Sequence, residues 1–168
     1  MAIFLTADSK VIVQGMTGSE GMKHTQRMLR SGTAIVGGVN PRKAGTTVEF
    51  EGGTAVPVFG TVAEAIEATG ADVSVIFVPA AFTKAAATEA IDAGIPLAVV
   101  ITEGVPAHDE AWFDNELRRD FPGVQLLGPN CPGIISPGKA NIGITAGHIA
   151  KPPVEGEKTV GIVSRSGT

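Results

Sequence analysis

Short runs of apolar, mostly β-branched residues recur along the chain at Lys10–Gln14, 33–36, 72–78, 97–101, Gln125–Leu127 and 159–163. Their apolar residues are continuous and do not alternate with polar ones, the pattern of strands buried on both faces of a parallel sheet. Helical stretches lie between them. Thr61-Val-Ala-Glu64 has the form of a capping box, in which the Thr61 hydroxyl accepts the Glu64 N–H and the Glu64 carboxylate reaches back to the Thr61 N–H. Gly32, Gly70 and Gly94 each follow a helical stretch, where a left-handed residue ends a helix at little cost. Phe82, Ala86 and Ala90, and likewise Phe113, Leu117 and Phe121, recur every fourth residue and are expected to form one core-facing stripe per helix. Strand–helix alternation with short connections predicts an α/β fold with a Rossmann-type doubly wound parallel sheet.

Two segments break this rhythm. Residues 41–60 are expected to hold a small hairpin, Thr47–Phe50 and Thr54–Phe59, joined at Gly52-Gly53. Residues 128–153 carry five prolines and several glycines and are expected to be an ordered irregular connection or a linker. The run at 159–163 leads into Ser-Arg-Ser-Gly-Thr, a sequence that ordinarily opens a helix. The expected division is therefore a Rossmann-type domain over 1–150, then a linker and the first strand of a second domain over 151–168.

Composition narrows the function classes. The chain has 168 residues, 13 Lys+Arg against 17 Asp+Glu, a net charge of -4, one cysteine and 5% aromatic residues. A chain of this size can bury a sufficient core without disulfides or a structural metal, and Cys131 has no internal partner, which fits a reducing compartment. The absence of a basic run argues against nucleic acid as a partner. The longest apolar stretches, 75–78 and 97–101, fall far short of the ~20 residues of a membrane helix, and the N-terminus lacks the pattern of a secretory signal or transit peptide. A cytoplasmic protein that neither binds nucleic acid nor spans a membrane is expected.

Gly15-Met-Thr-Gly-Ser-Glu-Gly21 follows the first strand and opens the first helix, where doubly wound sheets bind nucleotide phosphates. The spacing is G-x-x-G-x-x-G. Thr17 occupies the place of the second glycine of the dinucleotide fingerprint, which weakens an NAD reading. The place of the ribose-binding carboxylate reads Val39-Asn-Pro-Arg-Lys43 and offers two cations, which suit a phosphorylated ribose such as that of NADP or coenzyme A, or a solvated basic turn. The loops starting at Val78-Pro79 and at Ile101-Thr102-Glu103 stand at carboxyl ends of strands. Glu103 is open between a ribose or adenine contact and a helix-dipole role. Cys131, in Gly128-Pro-Asn-Cys-Pro-Gly133, is expected to be a buried or pocket-lining thiol, not a nucleophile. The three histidines lack metal-ligand spacing, so no metal site is expected, and His24 and His148 are read as structural.

Taken in order, GMTGSEG, GGVNPRKAG, VIFVPAAF, VVITEG, LLGPNCPGI and GIVSRSGT resemble the α subunits of succinate–CoA ligases. The resemblance covers essentially the whole chain. It implies a CoA-binding domain in which Thr17, Gly18, Ser19 and Glu20 form the phosphate loop and Lys43 meets the CoA nucleotide. It further implies CoA contacts from Val78 and Pro79 and from Ile101, Thr102 and Glu103, with Asn130 and Cys131 near the thiol end. It settles the choice of phosphorylated ribose in favour of the 3′-phosphate of coenzyme A. The family's phosphorylated histidine lies in a second, flavodoxin-like domain absent from this sequence, so no catalytic residue is expected here and the chain alone should be inactive. Magnesium and ATP or GTP would come through a β subunit, the partner in a heterodimer or heterotetramer. ITEG and GPNCPG look closer to the succinate enzymes than to related malate or citrate enzymes. An NADP-binding oxidoreductase domain and a stand-alone CoA-binding regulator are the alternatives.

Overall fold

The structure is a computed structural model and describes residues 3–152, 154, 156, 158 and 160–163, leaving aside the side chain of Asp114. Its centre is a seven-stranded sheet in the order β3-β4-β2-β1-β5-β6-β7. The strands are β1 (Lys10–Gln14), β2 (Ala34–Val39), β3 (Thr47–Phe50), β4 (Thr54–Phe59), β5 (Val73–Ile76), β6 (Leu97–Val100) and β7 (Gln125–Leu127). All neighbours are parallel except β3 and β4, the expected hairpin, which joins the sheet through β4 pairing with β2. The helices are α1 (Ser19–Arg30), α2 (Val62–Thr69), α3 (Ala80–Asp92) and α4 (Ala107–Asp120). None of the described helices is long and apolar enough to cross a membrane.

The central strands bury both faces, as their unbroken apolar runs require. Val13, Val75 and Val99 lie in register on one face and pack with Met28 of α1. On the other face Ile12 packs with α2 and α3, while Ile76 and Val100 pack with α3 and α4. Full burial of each such aliphatic side chain contributes about 1.5–3 kcal/mol. Connections leave β1 toward β2 on one side and reach β5 on the other, so the helices following β1 and β5 lie on opposite faces. That reversal defines a switch point between β1 and β5.

The described part of the 128–153 segment, residues 128–152, is more regular than expected. It contains a second hairpin, β8 (Gly133–Ser136) and β9 (Ala140–Gly143), which turns at Pro137-Gly138. Ala140 and Ile142 of this hairpin cover the α1 face of the sheet together with Leu5. Four bonds fix it there: the Ser136 hydroxyl donates to the Leu5 carbonyl (2.6 Å), the Thr33 hydroxyl donates to the Asn141 carbonyl (2.6 Å), the Asn141 N–H donates back to the Thr33 hydroxyl (2.9 Å), and the Gly143 N–H donates to the Met28 sulfur (3.4 Å).

Other expectations change in detail. Only half of the capping box forms: the Thr61 hydroxyl accepts the Glu64 N–H (3.2 Å), but the Glu64 carboxylate accepts from the Gly60 N–H (2.9 Å). The Val62 N–H donates instead to Glu89 of α3 (2.9 Å). Phe113, Ala86 and Ala90 are core residues, whereas Phe82 is 62% exposed. The buried face of α3 runs through Thr83, Ala86, Ala87, Ala90 and Ile91, and the row of every fourth residue drifts across a helix of 3.6 residues per turn, so Phe82 falls off that face. β2 is longer than expected, because Gly37 and Gly38 keep the ladder with β1. Of the run at 159–163, Thr159 lies outside the described residues and residues 160–163 are exposed without strand structure; residues 164–168 also lie outside them.

Gly133 has φ of 112°, and a Cβ there would run into the carbonyl of Ile142 across the hairpin. Gly133→Ala should therefore lower the unfolding free energy by about 3 kcal/mol, combining left-handed strain with a backbone clash. Gly138→Ala, whose Cβ would meet only the Pro152 ring at 3.1 Å, should cost about 1 kcal/mol. Urea unfolding of both variants measures the difference.

Candidate functional site

At the carboxyl ends of β1, β2, β5 and β6, over the switch point, the structure opens a cleft of about 1070 Å³. The loop from Gly15 to Gly18 forms its floor on one side. It is pinned by the Gly15 N–H donating to the Val39 carbonyl (3.1 Å) and the Gly18 N–H to the Gly15 carbonyl (3.1 Å). Gly21, in the first turn of α1, lies so close to this loop that a Cβ would collide with the Gly15 carbonyl, which allows helix and strand end to meet.

The start of α1 has no side-chain cap, since its N-cap is Gly18. Its first N–H groups and the positive end of its dipole are thus available to an anion. The start of α2 differs, being occupied by Thr61, Glu64 and Glu89. α3 also begins without a side-chain cap, at Pro79 on the opposite wall of the cleft.

Polar bonds link the cleft's loops. The Asn40 amide donates to the Thr17 hydroxyl (2.6 Å), and its carbonyl oxygen accepts the Arg42 N–H (3.0 Å). Asn40 therefore joins the glycine loop to the 3-10 turn Pro41–Lys43 that carries both cations. Across the cleft, the Thr102 hydroxyl donates to the Val78 carbonyl (2.6 Å) and the Asn130 N–H to the Thr102 carbonyl (2.9 Å). The Gly133 N–H donates to the Cys131 sulfur (3.4 Å). Beneath the cleft, buried Gln14 accepts from the Ser74 hydroxyl (2.8 Å) and donates to the Ala86 carbonyl (2.9 Å), bracing β1 against β5 and α3.

Of the twelve residues singled out from the sequence, the cleft wall includes Gly18, Ser19, Glu20, Val78, Pro79, Ile101, Thr102, Glu103, Asn130 and Cys131. Thr17 stands behind the wall with its hydroxyl bound to Asn40, and Lys43 is exposed on the same turn as Arg42, the cation that does line the cleft. Thr102 spends its hydroxyl on Val78, so its side chain fastens two loops. Sequence reasoning passes over His24, Phe82 and Ile144 on the wall. The spacing of Phe82 assigns it to the core. His24, read as structural, falls one turn after Glu20 on α1, and that i,i+4 spacing is the available signal. No group of metal-ligating side chains occurs among the described residues.

His24 is only 5% exposed. Its ring stacks on Phe77 at 5.5 Å with planes 4° apart, and its Nε2 lies 3.1 Å from the Glu20 carboxylate. Burial is the main cause that pushes its pKa below the ordinary value, against the opposing pull of Glu20. The ring is accordingly neutral near pH 7.

Comparison with known proteins gives this cleft a context. Residues 6–104 match the family model described as a CoA binding domain. Along its full length the chain is 49% identical to a succinate–CoA ligase [ADP-forming] α subunit from Aquifex aeolicus and 52% identical to one from Archaeoglobus fulgidus, covering 52% and 54% of those proteins. The chain thus spans about half the length of these curated relatives. In fold it resembles an ATP citrate lyase from Methanothrix soehngenii solved with citrate and coenzyme A, with a TM-score of 0.67 at 24% identity over 78% of this chain and 22% of that one. With a family match over more than half its residues and homology to ligase α subunits from end to end, the chain belongs to the CoA-binding domain family.

Proposed function

We propose that this chain is the coenzyme A-holding part of the α subunit of a succinate–CoA ligase. The observation that carries the reading is the uncapped start of α1 beside a cationic turn at the edge of one cleft, in a chain of the CoA-binding domain family. Coenzyme A would supply the thiol that becomes the thioester. Ser19, Glu20 and Gly21 offer backbone N–H groups to its diphosphate, with Thr17 and Gly18 shaping the loop. Arg42 and Lys43 meet the 3′-phosphate through charge-assisted bonds. Val78, Pro79 and Ile101 give an apolar wall to the pantetheine arm, Glu103 accepts from a hydroxyl or amine, and Asn130 and Cys131 flank the thiol end.

Holding the thiol in one place makes its reaction with an activated acid a step within a single site. In this reading the acid is succinate and the histidine that is phosphorylated belongs to a second domain of the same subunit. Magnesium and ATP or GTP enter through a β subunit in a cytoplasmic heterodimer or heterotetramer. The chain by itself holds coenzyme A without turning it over.

Calorimetric titration with coenzyme A, dephospho-CoA and NADP tests the reading. Coenzyme A should bind best, and NADP binding alone would overturn it. Lys43→Ala and Arg42→Ala should each weaken coenzyme A by roughly 10- to 100-fold, the worth of a hydrogen bond to a charged group, with a much smaller effect on dephospho-CoA; equal losses for both ligands would remove the 3′-phosphate role. Gly21→Ala probes the loop. In an open helix the change would add about 1 kcal/mol of stability, but here it should reduce both stability and coenzyme A affinity, because the new Cβ pushes α1 off the Gly15 carbonyl.

A further inference from the structure

The cleft presents a physical contradiction. A seat for phosphate at the start of α1 contains a carboxylate, Glu20, in the first turn of the same helix. A free carboxylate there would repel the ligand's phosphates and compete for the same N–H groups.

We propose that His24 is a positioning residue that holds the Glu20 carboxylate clear of this anion seat. The inference rests on the functional reading above. A carboxylate can only accept, so the nitrogen facing it, Nε2 at 3.1 Å, carries the hydrogen. Nδ1 then bears a lone pair, and it is buried with no hydrogen-bond partner. A proton placed on it would be sealed away without an acceptor, so the ring serves as a neutral, one-directional donor. Phe77, at the end of β5, fixes the ring plane by stacking. The donor is thus packed against the end of the sheet. Lys23 also approaches Glu20, at 3.6 Å, but it is more than half exposed and its long side chain does not fix a position. His24 is the rigid partner, and its own place on the cleft wall puts it beside the seat it keeps clear.

The test compares coenzyme A affinity in four forms of this chain: wild type, His24→Phe, Glu20→Gln and the double variant. His24→Phe keeps an aromatic ring against Phe77 and removes both ring nitrogens, and a thermal melt verifies that each variant is folded. With Glu20 present, His24→Phe should weaken coenzyme A by about tenfold, equivalent to roughly 1.4 kcal/mol, and the loss should shrink at high salt. In the Glu20→Gln background, the same change should cost less than about threefold, because no charge remains to be held. A loss of equal size in both backgrounds would show a merely structural histidine and overturn the proposal, as would unchanged binding by His24→Phe. Failure of the wild type to bind coenzyme A would remove the functional reading itself, whereas normal wild-type binding with an equal loss in both backgrounds removes only the positioning role.

Discussion

A parallel sheet has to be covered on both faces, and everything else in this domain follows from how that requirement is met. Helices cover one face along β1, β5 and β6, while α1 reaches only part of the other. The reversal of the connections between β1 and β5 leaves the carboxyl ends of the strands uncovered at one point. A cleft there is a geometric result of the winding, and ligands of open α/β sheets bind at such points. The local sequence decides what the cleft accepts.

Here the decision is made largely by which backbone groups are left without partners. At α2 side chains satisfy the first N–H groups, so that end is closed to ligands. At α1 a glycine cap leaves them open, and the neighbouring turn adds two cations. The loops on the far wall are fastened to one another through Thr102, so the cleft is held in shape by bonds that a ligand need not make. Such preorganisation reduces the ordering cost of binding.

Much of this is legible in the sequence because it depends on local rules. β1 and β7, and both strands of the hairpin joined at Gly52-Gly53, follow from apolar runs and turn residues alone. The glycine spacing after β1 marks the loop because close approach of helix and strand admits no Cβ at Gly21. What escapes depends on distance in space. Phe82 has the spacing of a core residue, but the face of α3 that meets the sheet begins at Thr83, which leaves Phe82 on the surface. The β8–β9 hairpin is obscured by its prolines, although Pro137-Gly138 between Ile134 and Ile142 is a turn signal. His24 can be placed on a helix, but not against Phe77, a contact across 53 positions that periodicity does not encode.

The bonds between Thr33 and Asn141 join positions 108 residues apart. Contacts of such long range are closed late in folding, after the local strand–helix units have formed. As the chain leaves the ribosome, the sheet's central strands are complete well before the segment that shields their second face. Val13, Val75 and Val99 then await the arrival of Ile142, and Cys131 and Ile144 complete the cleft wall in the same interval. Apolar surface exposed in that interval invites premature association. Maturation of the binding cleft and protection of the core are thereby set to a single late event in the chain's synthesis.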